Sequence, residues 1–170
     1  MSHQEFFQEI RKDHRELTDL LQQMKSQSSY DAKDMVVQLK SELKPHQEAE
    51  EKTFYQSLRR LPDAHRLAFK AEEEHHVAES ILSDLEKTPS GDTWTAKLDV
   101  LDELVQEHIK EEESKAFKWA GSINETEMGD ILRNFQSMKL RLKSDMMGGT
   151  TSGPDTTSGD LPNADLGQVV

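Results

Sequence analysis

Cysteine is absent from this 170-residue sequence. Without thiolates the chain cannot form disulfides, a cysteine-ligated zinc site or a cysteine-held iron–sulfur cluster, so any metal must be bound by nitrogen and oxygen atoms. No apolar stretch approaches the length of a membrane-spanning helix, and residues 1–14 carry charges throughout, unlike a signal peptide. We therefore expect a soluble, cytoplasmic protein with no membrane partner.

Positive charge is also scarce. Lysine and arginine total 21 against 33 aspartates and glutamates, which gives a formal net charge of -12. A surface with this balance repels nucleic acid and anionic membranes, so we expect neither as a partner, and the pattern indicates no particular protein partner. The length is that of one domain with a substantial core.

Glycine and proline are rare between residues 3 and 144, where apolar residues recur at intervals of three and four. This spacing predicts helices divided by short polar segments. The first is expected at about Ser2 to Lys25 and the second from an N-cap at Asp31 to about Arg60. The third follows the break Leu61-Pro62-Asp63 and runs to about Lys87, the fourth runs from a cap at Asp92 or Thr93 to about Trp119, and a shorter fifth lies near Glu125 to Lys143.

These segments predict an all-α fold, an antiparallel up-down-up-down four-helix bundle with a short fifth C-terminal helix and a flexible tail. We expect the fifth helix to pack against the outside or one end of the bundle as a lid or brace. The bundle domain is predicted to occupy residues 1–145. Residues 146–170, rich in Gly, Ser, Thr, Asp and Pro, are predicted to be a disordered tail.

The apolar stripe of each long helix is interrupted by polar residues. In the first helix, for example, the inward stripe Phe7, Ile10, His14 and Leu17 contains a histidine. Burying imidazoles and carboxylates without partners is costly, whereas a pair of metal ions would satisfy all of them. The predicted metal ligands are His14, His46, Glu50, His75, His108 and Glu112.

An internal repeat supports these positions. The pattern around His14 recurs around His75, about 60 residues later, and this match selects His75 rather than its neighbour His76 as the inward residue. Each repeat unit also contains one His-x-x-x-Glu segment, at 46–50 in the first unit and at 108–112 in the second. We expect His3, His65 and His76 to lie at the surface, and the acidic runs 72–74 and 111–113, apart from Glu112, to be solvated.

Histidine and glutamate four residues apart lie on one helix face, so two such pairs facing each other can build a bridged site. Four imidazoles and two carboxylates suit iron, although the spacing alone does not exclude manganese or zinc. We therefore predict two non-haem iron ions (Fe2+/Fe3+) with an oxo or hydroxo bridge and an open position for a small ligand.

The order of these ligands along the chain resembles the hemerythrin-like (HHE) cation-binding family over about residues 3–120. Asp13-His14-Arg15 and the acidic pairs Glu50-Glu51 and Glu112-Glu113 also look like the family. The resemblance implies that the six positions named above bind a non-haem di-iron centre, with the glutamates bridging.

Two departures bear on function. Oxygen-carrying hemerythrins have a further histidine four residues after the third-helix histidine, where this chain has Glu79, and their last carboxylate follows the last histidine by five residues rather than four. The resemblance then implies a more open, more reactive centre, or Glu79 as an extra ligand or as an acceptor behind one. Tyr55 is a candidate to hydrogen-bond a metal-bound ligand.

Three functions follow as hypotheses. The first is a protein that binds or reacts with O2, peroxide or NO in oxidative or nitrosative stress handling or sensing, with enzymatic peroxide decomposition left open. The second is a module that stores, senses or donates iron, including iron for Fe–S cluster repair. The third is a metal-free helical interaction module that uses its acidic surface and tail.

Overall fold

The computed structural model describes residues 2–148, and every regular element in this range is helical, which confirms the predicted all-α class. The elements are α1 (Ser2–Lys25), α2 (Ser29–Lys33), α3 (Val36–Lys52), α4 (Phe54–Arg59), α5 (His65–Lys87), α6 (Asp92–Glu111), a π-helical turn (Glu112–Ala116), α7 (Phe117–Ala120) and α8 (Glu125–Gly148). The predicted tail falls almost entirely on residues 149–170, outside the described residues, while residues 146–148 belong to α8.

The long helices α1, α3, α5 and α6 form a closed ring in which each contacts the next and α6 returns to α1. Residue order shows the direction of each pair: Lys25 of α1 lies against Asp102 of α6, whereas His14 lies against Glu113, so the two helices are antiparallel. The other neighbouring helices show the same opposed order. The contacts are Phe6–Phe54 and Asp13–His46 between α1 and the α3–α4 segment, Lys40–Glu86 and His75–Glu51 between α3 and α5, and Asp84–Lys97 and Glu74–His108 between α5 and α6. The ring is thus an up-down-up-down bundle.

Two helix starts differ from the prediction. Ser28, not Asp31, caps α2: its hydroxyl oxygen accepts from the backbone N–H of Asp31 at 3.3 Å and donates to the Asp31 carboxylate at 2.6 Å. Asp31 thus lies inside the first turn, where its carboxylate accepts from the hydroxyl of the capping residue. Gly91 precedes α6 with φ +144°, a backbone conformation that residues with a Cβ rarely adopt, so the helix begins at Asp92 without a side-chain cap.

The second predicted helix is divided into α2, α3 and α4. The break after α3 lies at Thr53, whose φ of -126° and ψ of -73° are not helical and whose hydroxyl donates to the carbonyl of Ala49 at 2.6 Å. Such a bond diverts the backbone from a regular helix. The fourth predicted helix is interrupted similarly, since the π-helical turn begins at Glu112. Both interruptions come within three residues of a predicted glutamate ligand, and π-turns are common at functional sites.

Two apolar clusters fill the bundle, one toward each end. The first contains Phe6, Phe54, Tyr55, Phe117 and Phe135, and the second contains Leu21, Leu39, Leu85, Trp94 and Leu101. Phe6 is fully buried, whereas the predicted inward residue Phe7 is only partly buried and stacks on Phe117 with 4.1 Å between ring centres. The predicted ligands belong to neither cluster and lie between them.

Helix α8 is as long as α1, not short as predicted, and runs along the outer groove between α1 and α3. It buries Met128, Ile131 and Phe135, and Phe135 meets His46 edge to face with 6.0 Å between ring centres. The helix therefore braces the flank of the bundle beside the predicted site. Within residues 2–148, no helix is both long and apolar enough to cross a bilayer.

Candidate metal centre

All six predicted ligands lie buried in the middle of the bundle, between 0 and 8 % exposed. They group as two triads, His14, His46 and Glu50 in one, and Glu50, His75 and His108 in the other. Within each triad the candidate ligand atoms all lie within 4.8 Å of one another. Glu50 belongs to both triads, so one carboxylate faces two candidate metal positions.

The distances show how closely these groups approach. His46 Nε2 lies 3.1 Å from Glu50 Oε1, and His75 Nε2 lies 3.6 Å from Glu50 Oε2, so each carboxylate oxygen faces a different triad. The Nε2 atoms of His75 and His108 are 3.1 Å apart. Glu112 belongs to neither triad but places Oε2 3.2 Å from His14 Nε2, at the edge of the first.

Several polar atoms at this point make no hydrogen bond. Within residues 2–148, the buried atoms without a hydrogen-bond partner include His14 Nε2, Glu50 Oε1 and both carboxylate oxygens of Glu112. Leaving such atoms unpaired costs roughly 1–3 kcal/mol each, and more for charged groups. Cations at the two triads would satisfy them. The residues present therefore fit a binuclear metal site built from imidazole nitrogens and carboxylate oxygens.

The buried carboxylates attract protons to some of these histidines. Burial alone would lower the pKa of His46, but the charges of Glu50 and Asp13 outweigh burial and raise that pKa to about 10. His14 shows the same balance: burial opposes its charge, yet Glu112 and Glu113 raise its pKa. In the other triad burial dominates and lowers the pKa of His75. The first triad thus attracts positive charge most strongly.

A carboxylate accepts a hydrogen bond from Nδ1 of every one of the four histidines. Because Nδ1 carries the proton and points outward, each Nε2 is left to face the centre of the bundle. The four bonds are Glu113 Oε1 to His14 at 2.8 Å, Asp13 Oδ2 to His46 at 3.0 Å, Glu51 Oε1 to His75 at 2.9 Å, and Glu74 Oε2 to His108 at 2.9 Å. The rings are therefore held in the orientation that metal ligation requires.

These carboxylates follow one another around the bundle. Each of the four main helical segments supplies one acid, which accepts from a histidine of the neighbouring segment. Asp13 and Glu74 directly precede a predicted ligand, while Glu51 and Glu113 directly follow one. The sequence analysis assigned Glu74 and Glu113 to solvated faces, and this was wrong: both are only partly exposed and both hold a histidine. The internal repeat contained the missing signal, because acids flank the ligands at equivalent places in both halves.

Basic residues stand behind three of the four acids. Lys139 of α8 lies 2.7 Å from Asp13, Lys70 lies 2.7 Å from Glu74, and Arg11 lies 3.1 Å from Glu113. Burial would raise the pKa of Asp13, but His46 and Lys139 together lower it to about 2. The acids therefore remain ionised, which strengthens their hold on the histidines.

The histidines that the sequence analysis placed at the surface differ in exposure. His75 is buried and His76 is exposed, as the repeat predicted, and His65 is exposed as expected. The prediction for His3 was wrong, since its ring is largely buried against the carbonyls of Ala120 and Ile123.

Glu79 and Tyr55 were the two other candidates near the centre. Glu79 is more than half exposed and pairs with Lys44 at 2.7 Å, so it neither ligates nor supports a ligand here. Tyr55 is buried, and its hydroxyl lies 3.4 Å from both Glu50 Oε2 and His108 Nε2. Burial, followed by the nearby charges of Glu112 and Glu50, raises the pKa of Tyr55 well above its usual value, so the hydroxyl keeps its proton.

A small cavity adjoins the two triads on the side opposite Tyr55. Its apolar walls come from all four long helices, through Leu17, Leu43, Ala78 and Val105. The cavity volume is about 10 Å³, which is room for about one water-sized molecule.

Comparison with known proteins agrees with this geometry. The profile of the Hemerythrin HHE cation binding domain matches residues 5–120. The chain therefore belongs to the hemerythrin HHE cation-binding domain family. A search of curated proteins and a search of solved structures each gave no match.

Proposed function

We propose that this protein holds two non-haem iron ions and uses them to bind or react with O2, peroxide or NO, in oxidative or nitrosative stress handling or sensing. The observation that supports the proposal most is the position of Glu50, whose carboxylate is shared by two buried histidine pairs beside a cavity for one small molecule. A single-metal site needs no shared carboxylate.

In the proposed centre each ion has its own set of ligands. His14, His46 and Glu50 would hold one, His75, His108 and Glu50 the other, and Glu112 would complete the site on the His14 side. Imidazole with carboxylate suits iron, and the ligands come from all four helices as in di-iron bundles. When bound there, two iron ions would supply the capacity to exchange electrons with a small ligand.

The chain's own residues prepare the site for this chemistry. The carboxylates behind the histidines fix each ring with Nε2 inward, so little reorganisation accompanies metal binding. The apolar walls of the cavity exclude water from a bound ligand. Tyr55 provides one protonated hydroxyl, which donates to Glu50 and so holds the shared carboxylate in place.

Anaerobic ferrous protein exposed separately to O2, peroxide and NO tests the proposal. We expect a rapid change in the visible spectrum with at least one of them, and a return to the starting spectrum after reduction. Glu50→Ala should lose the response, whereas His65→Ala, at an exposed site, should retain it. An inert spectrum with two irons bound would contradict the proposal, and iron that passes quickly to a chelator would favour storage or donation instead.

A further inference from the structure

Gln47 is a largely buried glutamine whose side chain makes no hydrogen bond within residues 2–148. The residue is 8 % exposed and follows directly after His46 on α3. Its amide atoms are not among the buried polar atoms that lack a partner, so the end of the side chain remains accessible to water. Its position between two cavities is what distinguishes it.

Gln47 and His75 line two spaces at once. On the inner side they border the small cavity beside the triads, and on the outer side they border a surface cleft between α3 and α5. The cleft has a volume of about 140 Å³, so small molecules can fill it. These two side chains form the wall between cleft and cavity.

The two side chains differ in freedom to move. His75 is tied by its Nδ1 to Glu51 at 2.9 Å and belongs to the predicted ligand set. Gln47 has no such tie, and rotation of its flexible side chain moves only the amide. Glu79 and Lys44, which also line the cleft, pair with each other at 2.7 Å and make no hydrogen bond to Gln47. The wall can therefore open at Gln47 alone.

From this placement we infer that Gln47 is the gate through which a small ligand passes from the α3–α5 cleft to the metal centre. The inference rests on the proposed function, because the ligand is the one that the iron centre binds. Such a gate raises the barrier to entry and exit equally, so the two rate constants change together and their ratio, the affinity, stays the same.

Azide binding to the oxidised, iron-loaded protein, followed by stopped-flow absorbance, tests the gate. Gln47→Ala shortens the side chain and should raise the association and dissociation rate constants together by about tenfold. Gln47→Leu keeps the bulk without the amide and should leave both rates near those of the unchanged protein. Gln38→Ala, at an exposed glutamine of the same helix, is the matched control and should have no effect.

Several results would contradict the gate. Unchanged rates in iron-loaded Gln47→Ala would overturn the gate while leaving the proposed function intact, and faster rates in Leu104→Ala instead would place entry on the α6 side of the cavity. Rates in Gln47→Leu as high as in Gln47→Ala would also overturn a steric gate. Absence of iron from every protein, measured by metal analysis, would overturn both the proposed function and the gate.

Discussion

Glu74 accepts a hydrogen bond from His108 across the interface of α5 and α6, with 2.9 Å between Glu74 Oε2 and His108 Nδ1. Burial would raise the pKa of Glu74, but His108 and Lys70 lower it to about 2. Glu74 is therefore a carboxylate at every pH at which the protein would function. A carboxylate in this place fixes the tautomer and the direction of the ring it holds.

Removing Glu74 should weaken metal binding without removing a ligand. For Glu74→Ala we expect the affinity for iron to fall by about 10- to 100-fold, the usual effect of losing a partner behind a histidine ligand. Competition with a chelator measures this directly. Glu73→Ala is the matched control, since Glu73 is 79 % exposed and one residue away. Equal affinities for the two variants would contradict a role for Glu74 in holding His108.

The neighbouring histidines of α5 provide a second test. His75 belongs to one triad together with Glu50. His75→Ala removes a metal-ligating nitrogen from that triad, so bound metal should be lost or strongly reduced. His76→Ala removes an exposed imidazole and should leave the metal content nearly unchanged. Metal analysis of both purified variants decides the matter. Loss of metal from His76→Ala alone would overturn the assignment of His75 to the centre.

Asp102 should contribute to stability independently of any metal. It is a buried carboxylate of α6 that lies 2.7 Å from both Lys25 Nζ and Gln106 Nε2. Asp102→Ala removes these hydrogen bonds, one of them to the charged ammonium of Lys25, and should lower the free energy of unfolding by about 1–3 kcal/mol. Urea unfolding measures the change. Asp99→Ala removes a half-exposed carboxylate that also contacts Lys25, and a similar loss in that variant would contradict the importance of burial here.

The contact between the first turn of α1 and the start of α8 should depend on pH. His3 Nδ1 lies 2.9 Å from Glu125 Oε1, and this hydrogen bond is the largest of several contributions, the backbone N–H of Ser2 among them, that lower the pKa of Glu125 from 4.5 to about 2. A carboxyl whose pKa is lowered by folding stabilises the fold above its unfolded pKa, and the stabilisation is lost as the pH falls through the folded pKa. We therefore expect the contact to weaken between pH 4.5 and about 2.

Titration of the Glu125 carboxyl by NMR checks this expectation. The midpoint should lie near 2 in the unchanged protein and should rise toward 4.5 in His3→Ala. His65→Ala, which changes an exposed histidine on α5, should leave the Glu125 midpoint where it was. A midpoint near 4.5 in the unchanged protein would show that His3 does not hold this carboxylate.

The inward positions could be predicted because helical periodicity alone decides which residues face the bundle. His14, His46 and Glu50 each replace an apolar residue in an otherwise regular stripe, so their burial follows from spacing. The repeat then resolved His75 from His76. Packing did not need to be known for either step.

The supporting contacts could not be predicted in this way. Glu74 and Glu113 lie one residue from a ligand and within acidic runs, and periodicity does not distinguish an acid that reaches across an interface from one that points to water. Lys139 reaches Asp13 only because α8 packs along α1 and α3, which depends on the tertiary arrangement. The interruption at Thr53 likewise depends on a local hydrogen bond that competes with the helix.

The number of iron ions bound per chain tests the central claim most directly, because that claim is that Glu50 is shared between two metal positions. Iron-loaded protein, freed of loosely bound metal and analysed for iron and protein together, should contain two ions per chain, and Glu50→Ala should fall well below this value. One ion per chain, or two ions that persist in Glu50→Ala, would contradict a centre built around that carboxylate.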